Sequence, residues 1–178
     1  MRRLILLVLA GGLLGFLAWR WTAMRAESAH PPLAAPDTAA AGVRAVRLYF
    51  GSAEGGELTR ELRELPESPD LHARVSALIA ALDQGPTGAG VAVLPAGSSM
   101  LHVYLDDQGL LTLDLSRAFV QGFRGGSTAE VAAIASLVRT LGENLPEVKR
   151  VQIVCGGAAV RTLGGHVALD RPLDVADW

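Results

Sequence analysis

Met100-Leu101-His102-Val103-Tyr104-Leu105-Asp106-Asp107-Gln108-Gly109-Leu110-Leu111-Thr112-Leu113-Asp114-Leu115 is the stretch whose reading decides the fold. Two apolar runs, Met100 to Leu105 and Leu110 to Leu115, flank a four-residue break. In that break aspartate can bond its own backbone, and Gly109 takes positive φ without a side-chain clash. The pattern predicts a β-hairpin. Its second strand puts Leu111, Leu113 and Leu115 on one face and Thr112 and Asp114 on the other.

A second helix is expected downstream. Ser127-Thr128-Ala129-Glu130 has the spacing of a capping box, in which Ser127 and Glu130 satisfy each other's backbone donors. Val131, Ile134, Ala135, Val138 and Leu141 then form an apolar stripe that ends near Gly142. Upstream, Ser68 can cap a first helix with Pro69 at its first position. Leu71, Val75, Leu78, Ile79 and Leu82 supply its buried face, and Gly85-Pro86 ends it. Residues Pro86 to Ser99 read as loop, anchored by Val91, Val93 and Leu94.

Strands are expected at both ends. Val43, Ala45, Leu48 and Phe50 alternate imperfectly, and Val148 to Cys155 is an apolar run. Val160 to Leu169 is expected to hold short strands around Gly164-Gly165. Glu57 to Leu65 is ambiguous: Leu58, Leu62 and Leu65 have helical spacing, while Glu/Arg alternation before Pro66 permits a strand. The order β-β-α-β-β-α-β-β predicts an α+β domain, a small mixed or antiparallel sheet with two helices packed on it.

The chain has 178 residues, half of them hydrophobic, which is enough for one core plus an extension. After Gly42 there are 16 acidic and 12 basic residues. That net negative balance argues against a nucleic-acid partner. Cys155 is the sole cysteine, so no intramolecular disulfide is available.

The first 24 residues bear on location. Leu4 to Trp19 is an uncharged apolar run between Arg2-Arg3 and Arg20, with Trp19 and Trp21 suited to a membrane interface. Residues 1–24 are expected to be an uncleaved signal anchor, a single-pass helix in the bacterial inner membrane; a removed signal peptide is the alternative, with Ala26-Glu27-Ser28 as a cleavage site. No cysteine follows the run, which excludes attachment as a lipoprotein. Residues 25–42, rich in Ala and Pro, read as a tether, and residues 43–178 as the extracytoplasmic domain.

Chemistry is sparse. Cys155 and His166 are the candidates for a thiol nucleophile and base, but no third group orients them. Asp106 and Asp107 belong to a turn, and Asp114 is read as bonding backbone at a strand end. The four histidines lack metal-ligand spacing. Arg124-Gly125-Gly126-Ser127 leads into a helix N-terminus, where free N–H groups can hold an anion. It lacks the lysine of a phosphate-binding loop. The mixed run Glu57, Arg60, Glu61, Arg63, Glu64 reads as a solvated face or a charge-patterned interface. These residues predict no catalytic group, no metal and no cofactor.

Several blocks recur in a fixed order: Leu48-Tyr49-Phe50-Gly51, Gln84-Gly85-Pro86, Leu94-Pro95-Ala96-Gly97, Leu113-Asp114-Leu115-Ser116-Arg117-Ala118-Phe119, Gly126-Ser127-Thr128-Ala129-Glu130 and Gly156-Gly157. Together they resemble the GerMN domain, a family named for spore-germination and sporulation proteins, over about Val43 to Leu173. The resemblance makes Glu57 to Leu65 a strand. It marks Tyr49, Phe50, Gly85, Pro86, Pro95, Gly97, Asp114, Ser116, Phe119, Ser127, Glu130 and Gly156 as motif positions. The family commonly has an acidic residue where Cys155 stands, so a shared role there is in doubt.

By that resemblance the fold is similar to ring-building modules of sporulation and secretion machines. The implied function is a non-enzymatic interaction or assembly module of the cell envelope, linked to sporulation or germination. Such domains also occur in bacteria that form no spores. Expected partners are the membrane, envelope proteins or further copies of the chain, and peptidoglycan. The first helix and the Leu101–Leu115 hairpin are the expected contact surface. The alternative is a binding module for an anionic or cell-wall-derived ligand at the Gly125-Gly126-Ser127 cap.

Overall fold

The computed structural model describes residues 42–178. The predicted anchor and nearly all of the tether lie outside the described residues. Strands β1 (Val43–Gly51) and β2 (Leu58–Pro66) form an antiparallel ribbon. Helix α1 (Leu71–Asp83) leads to β3 (Met100–Leu105) and β4 (Leu110–Leu115), the hairpin expected from the sequence. A four-residue helix α2 (Ala118–Gln121) precedes α3 (Ser127–Asn144). After these come β5 (Arg150–Cys155), β6 (Ala158–Ala159), β7 (Leu173–Asp174) and a 3₁₀ turn, Val175–Asp177.

The fold is α+β, but it has two sheets where one was expected. The ribbon stands apart from a five-stranded mixed sheet ordered β3-β4-β5-β6, in which β7 also pairs with β5. Strands β4 and β5 run parallel, and their crossover is the α2–α3 segment. One core joins both sheets. Leu48 and Phe50 of β1, Ile79 and Leu82 of α1, Leu111, Leu113 and Leu115 of β4, and Ile134, Leu137 and Leu141 of α3 belong to the same buried cluster.

The ribbon forms separately because α3 occupies the outer edge of β1. Tyr49 N donates to Thr140 Oγ1 at 3.1 Å, and the Ser136 hydroxyl donates to Tyr49 O. Asn144 accepts from Arg47 N at 3.0 Å and donates to Arg47 O at 2.7 Å. Residues four apart on a helix rise about 6 Å, and residues two apart on a strand rise about 6.6 Å. The step from Thr140 to Asn144 therefore matches the step from Tyr49 to Arg47, and Ser136, one turn earlier, takes the remaining Tyr49 carbonyl. Gly51 completes the edge by exchanging backbone bonds with Val91.

Four expectations are corrected. Asp70, not Ser68, caps α1, because its carboxylate accepts from Ala73 N at 2.7 Å; the Ser68 hydroxyl accepts from Asp70 N instead. Gly126 is the N-cap of α3 and no side chain caps it, so the capping box does not form. Gly142 does not stop α3, which runs on to Asn144. A Cβ at Gly142 would overlap Val175, so glycine is there to let the 3₁₀ turn seat against the helix. Val160 to Leu169 forms no strand; it is a loop held by contacts described below. No helix among the described residues is long and apolar enough to cross a membrane.

Candidate functional site

Glu130 is the most deeply placed charge in the domain. Its backbone lies in the first turn of α3, and its side chain turns inward and is fully buried. The carboxylate accepts from Leu163 N at 3.0 Å, Gly164 N at 2.8 Å, His166 N at 2.8 Å and His166 Nδ1 at 2.9 Å. Burial alone would raise this carboxyl, but those N–H donors outweigh it and hold the pKa down to about 2. A Cβ on Gly164 would sit 3.2 Å from Glu130 Oε2 and closer still to the Phe123 ring, so only glycine lets the loop approach. This carboxylate is ionised and already accepts from several donors. It shapes the 163–166 loop and has no proton to give as a general acid.

Most of the remaining motif positions are likewise committed inside the fold; Ser127 is the exception, exposed at the start of α3. Asp114 is buried, and its carboxylate accepts from Gly157 N at 3.1 Å, the backbone role read from the sequence. Ser116 binds Ser99 N through its hydroxyl, which also donates to Gly97 O. Phe119, Tyr49 and Phe50 are core residues. Gly85 adopts φ +83°, and its carbonyl accepts from the Arg63 guanidinium. Just beyond Pro86, Thr87 and Gly88 donate to Glu61. Burial would raise the Glu61 carboxyl, yet the Arg63 guanidinium, the Thr87 hydroxyl and these backbone donors bring it to about 2. Ser98, beside Gly97, donates its hydroxyl proton to Pro95 O, and a Cβ on Gly156 would press on the Arg117 side chain. The blocks are points where distant loops lock together.

The thiol pair has the wrong electrostatics for nucleophilic work. Burial, then the nearby Asp114 charge, pushes the Cys155 thiol up to about 11, and His166 is occupied by Glu130. The anion site is also not assembled. Arg124 Nη1 donates to Gln121 O and Phe123 O at 2.7 Å, and so serves the end of α2. Ser127 lines a shallow groove of about 520 Å³ with Gly51, Ser52, Gly55 and Val91, whereas Arg124 lines the neighbouring one beside Pro95 and Phe123. A cavity of about 230 Å³ between the ribbon and α1 contains Arg44 and Arg74, and Arg74 is paired with Glu147 at 2.7 Å. No group of metal-ligating side chains occurs among the described residues.

What is left for contact is surface. On the five-stranded sheet, Leu111, Leu113, Leu115, Val151 and Ile153 face the core, while Tyr104 stands 68% exposed beside Thr112. On the ribbon, Leu62 is 67% exposed in the centre of β2. Sequence reasoning missed the Ser136-Thr140-Asn144 row. The available signal was uncharged polar residues at i, i+4, i+8 spacing beside the apolar stripe of the helix.

The fold and its inward-locked motifs define a small α+β domain whose recurring residues build the scaffold itself. The chain belongs to the Germane family, described by sporulation and spore germination, which matches residues 47–161. No curated protein matches it. Among solved structures it is similar to a Clostridium perfringens protein described as a candidate lipoprotein, at 24% identity and TM-score 0.54, over 76% of this chain and 90% of that one. It is also similar to the tandem GerMN domains of the sporulation protein GerM from Bacillus subtilis, at 20% identity and TM-score 0.61. That match covers 76% of this chain and 48% of the tandem. The first of those domains alone matches at 19% identity and TM-score 0.58, over 71% of this chain and 96% of that domain.

Proposed function

We propose that this domain is a non-enzymatic interaction and assembly module of the bacterial cell envelope, held outside the cytoplasm by a single-pass anchor. The observation that carries this reading is the division of labour among residues. Most motif positions are spent on the core or on locking loops to one another, while the exposed apolar groups Tyr104 and Leu62 stand on the outer surfaces of β3 and β2. A fold-determining motif with a free surface suits a partner-binding unit. The apolar run Leu4 to Trp19 supports the anchor, and a structural relative described as a candidate lipoprotein is consistent with a membrane-held domain. The apolar run is favoured over a lipid anchor because the sole cysteine here, Cys155, is buried in β5. Ligand capture at the Gly125-Gly126-Ser127 cap draws less support, since Arg124 is turned to backbone carbonyls.

In-cell cross-linking of the tagged full chain, read by mass spectrometry, tests the proposal. Cross-links to other envelope proteins are expected, with adducts on the β3–β4 hairpin. Tyr104→Ser should lose most of those adducts while shifting stability by no more than about 0.5 kcal/mol, as for an exposed site. A chain that captures no envelope protein in cells that express it at normal levels would overturn the reading.

A further inference from the structure

The geometry points to a symmetric dimer of this chain, formed by antiparallel pairing of β2 with β2 of a second copy about a two-fold axis at Leu62. This names one surface of the assembly module proposed above and rests on that reading. The ribbon is asymmetric. The outer edge of β1 is closed by Ser136, Thr140 and Asn144 and by the Val91 bridge, whereas β2, among the described residues, pairs only with β1.

The register fixes which groups of β2 are free. Arg47 lies opposite Leu62 and Tyr49 opposite Arg60, and both β1 residues turn their backbone groups away from β2, toward α3. In an antiparallel pair directly opposed residues share that parity. The backbone N–H and C=O groups of Leu58, Arg60, Leu62 and Glu64 therefore face the open edge. Pro66, whose missing N–H would also have faced that edge, interrupts nothing in the ribbon.

The side chains identify the occupant. Centred on Leu62, the strand reads Arg60, Glu61, Leu62, Arg63, Glu64, with opposite charges at mirrored positions. Antiparallel self-pairing about Leu62 sets Arg60 opposite Glu64 of the second copy, and Glu64 opposite its Arg60. Both residues are exposed and neither has a side-chain partner among the described residues. The exposed Leu62 meets its own copy on the same face. Glu61 and Arg63 lie on the inner face, already joined to each other and to Thr87, Gly88, Ala81 and Gly85, and are not needed for the contact. Alternating charges on an edge strand ordinarily discourage strand addition. Here the alternation inverts across the centre, so a second copy meets complementary charge at each outward position. Strand addition supplies backbone bonds, and opposed cross-strand charges select the partner and register.

Cysteine cross-linking of the full chain in detergent or membranes tests this directly. Directly opposed residues that bond each other lie with Cα atoms about 5.5 Å apart, within disulfide reach. Leu62→Cys should form a homodisulfide under mild oxidation, and the unsubstituted chain, with only its buried Cys155, should not. In that background Arg60→Glu or Glu64→Arg should each cut the cross-linked yield about tenfold or more, because like charges then oppose twice per dimer. Mixing the two variants should restore cross-linking, entirely as the mixed pair, since each supplies the charge the other lacks. All substituted positions are exposed, and circular dichroism will show that the variants are folded. Absence of the Leu62 disulfide in folded protein, or charge variants that cross-link as well as their parent, would overturn the dimer. Envelope cross-links that persist in that case would leave the assembly reading standing, and a dimer that captures no envelope protein would do the reverse.

Discussion

Glu130 shows how one residue can read correctly as important and wrongly in its role. Ser127 and Glu130 have capping-box spacing, a rule local to four residues, yet the carboxylate is taken by donors more than thirty positions away. No local pattern could reveal a loop that the crossover brings back, so the buried use of Glu130 was not legible. The role of Asp114 was, because alternation along β4 already placed it at a strand end opposite the leucines. Glu130→Ala leaves Leu163, Gly164 and His166 N–H groups without their acceptor, and should cost on the order of 3 kcal/mol or more. Chemical denaturation and faster hydrogen exchange at those amides would measure it. The Glu130 carboxyl sits at about 2 in the folded state, below its ordinary value near 4.5. Its contribution is therefore complete above about pH 4.5 and is lost as pH falls toward 2. Glu61 titrates in the same window. The melting temperature should drop through that range, less steeply in Glu130→Gln, and a profile unchanged by the substitution would contradict this account.

At the scale of elements, the β3–β4 hairpin and the α1 stripe were readable because period-two and period-3.6 patterns are written in contiguous residues. The split into two sheets was not. It depends on α3 supplying Ser136, Thr140 and Asn144 to β1, and polar residues on a helix give no hint of which strand they meet. Thr140→Val removes the acceptor of Tyr49 N, and Asn144→Leu removes both partners of Arg47. Thr140→Val should destabilise the domain by about 1–3 kcal/mol, since the buried Tyr49 N–H is left unpaired, and Asn144→Leu by about 1 kcal/mol, since the Arg47 groups are only partly buried. Urea unfolding of the single and double variants would measure this, and neutral single variants would show that the helix covers the edge without bonding it. The loop at 160–169 was expected to hold short strands, but its Leu163, Gly164 and His166 N–H groups are spent on Glu130 instead of a ladder.

For the whole domain, the two sheets share one buried cluster, so they should not melt separately. Trp178 follows the 3₁₀ turn, and it is the only tryptophan among residues 42–178. With Trp19 and Trp21 replaced by Phe, its fluorescence reports the five-stranded side, while far-ultraviolet dichroism reports every element. The two probes should give one coincident urea transition, and separated midpoints would mean that the ribbon unfolds independently. Family membership was legible from the order of blocks, since each block is a place where two parts of the fold must lock. The proposed contact surface has no such signature, because no fixed residue pattern is needed to leave a sheet face open.

The closed outer edge of β1 has a consequence for growth. A ribbon with two live edges is divalent and could propagate strand upon strand into a fibre. With α3 occupying one edge, the ribbon is monovalent. Once its free strand has joined another, both partners are spent and addition stops at two. Any larger array must then use a surface other than the ribbon edges, so that pairing and array formation can be varied independently.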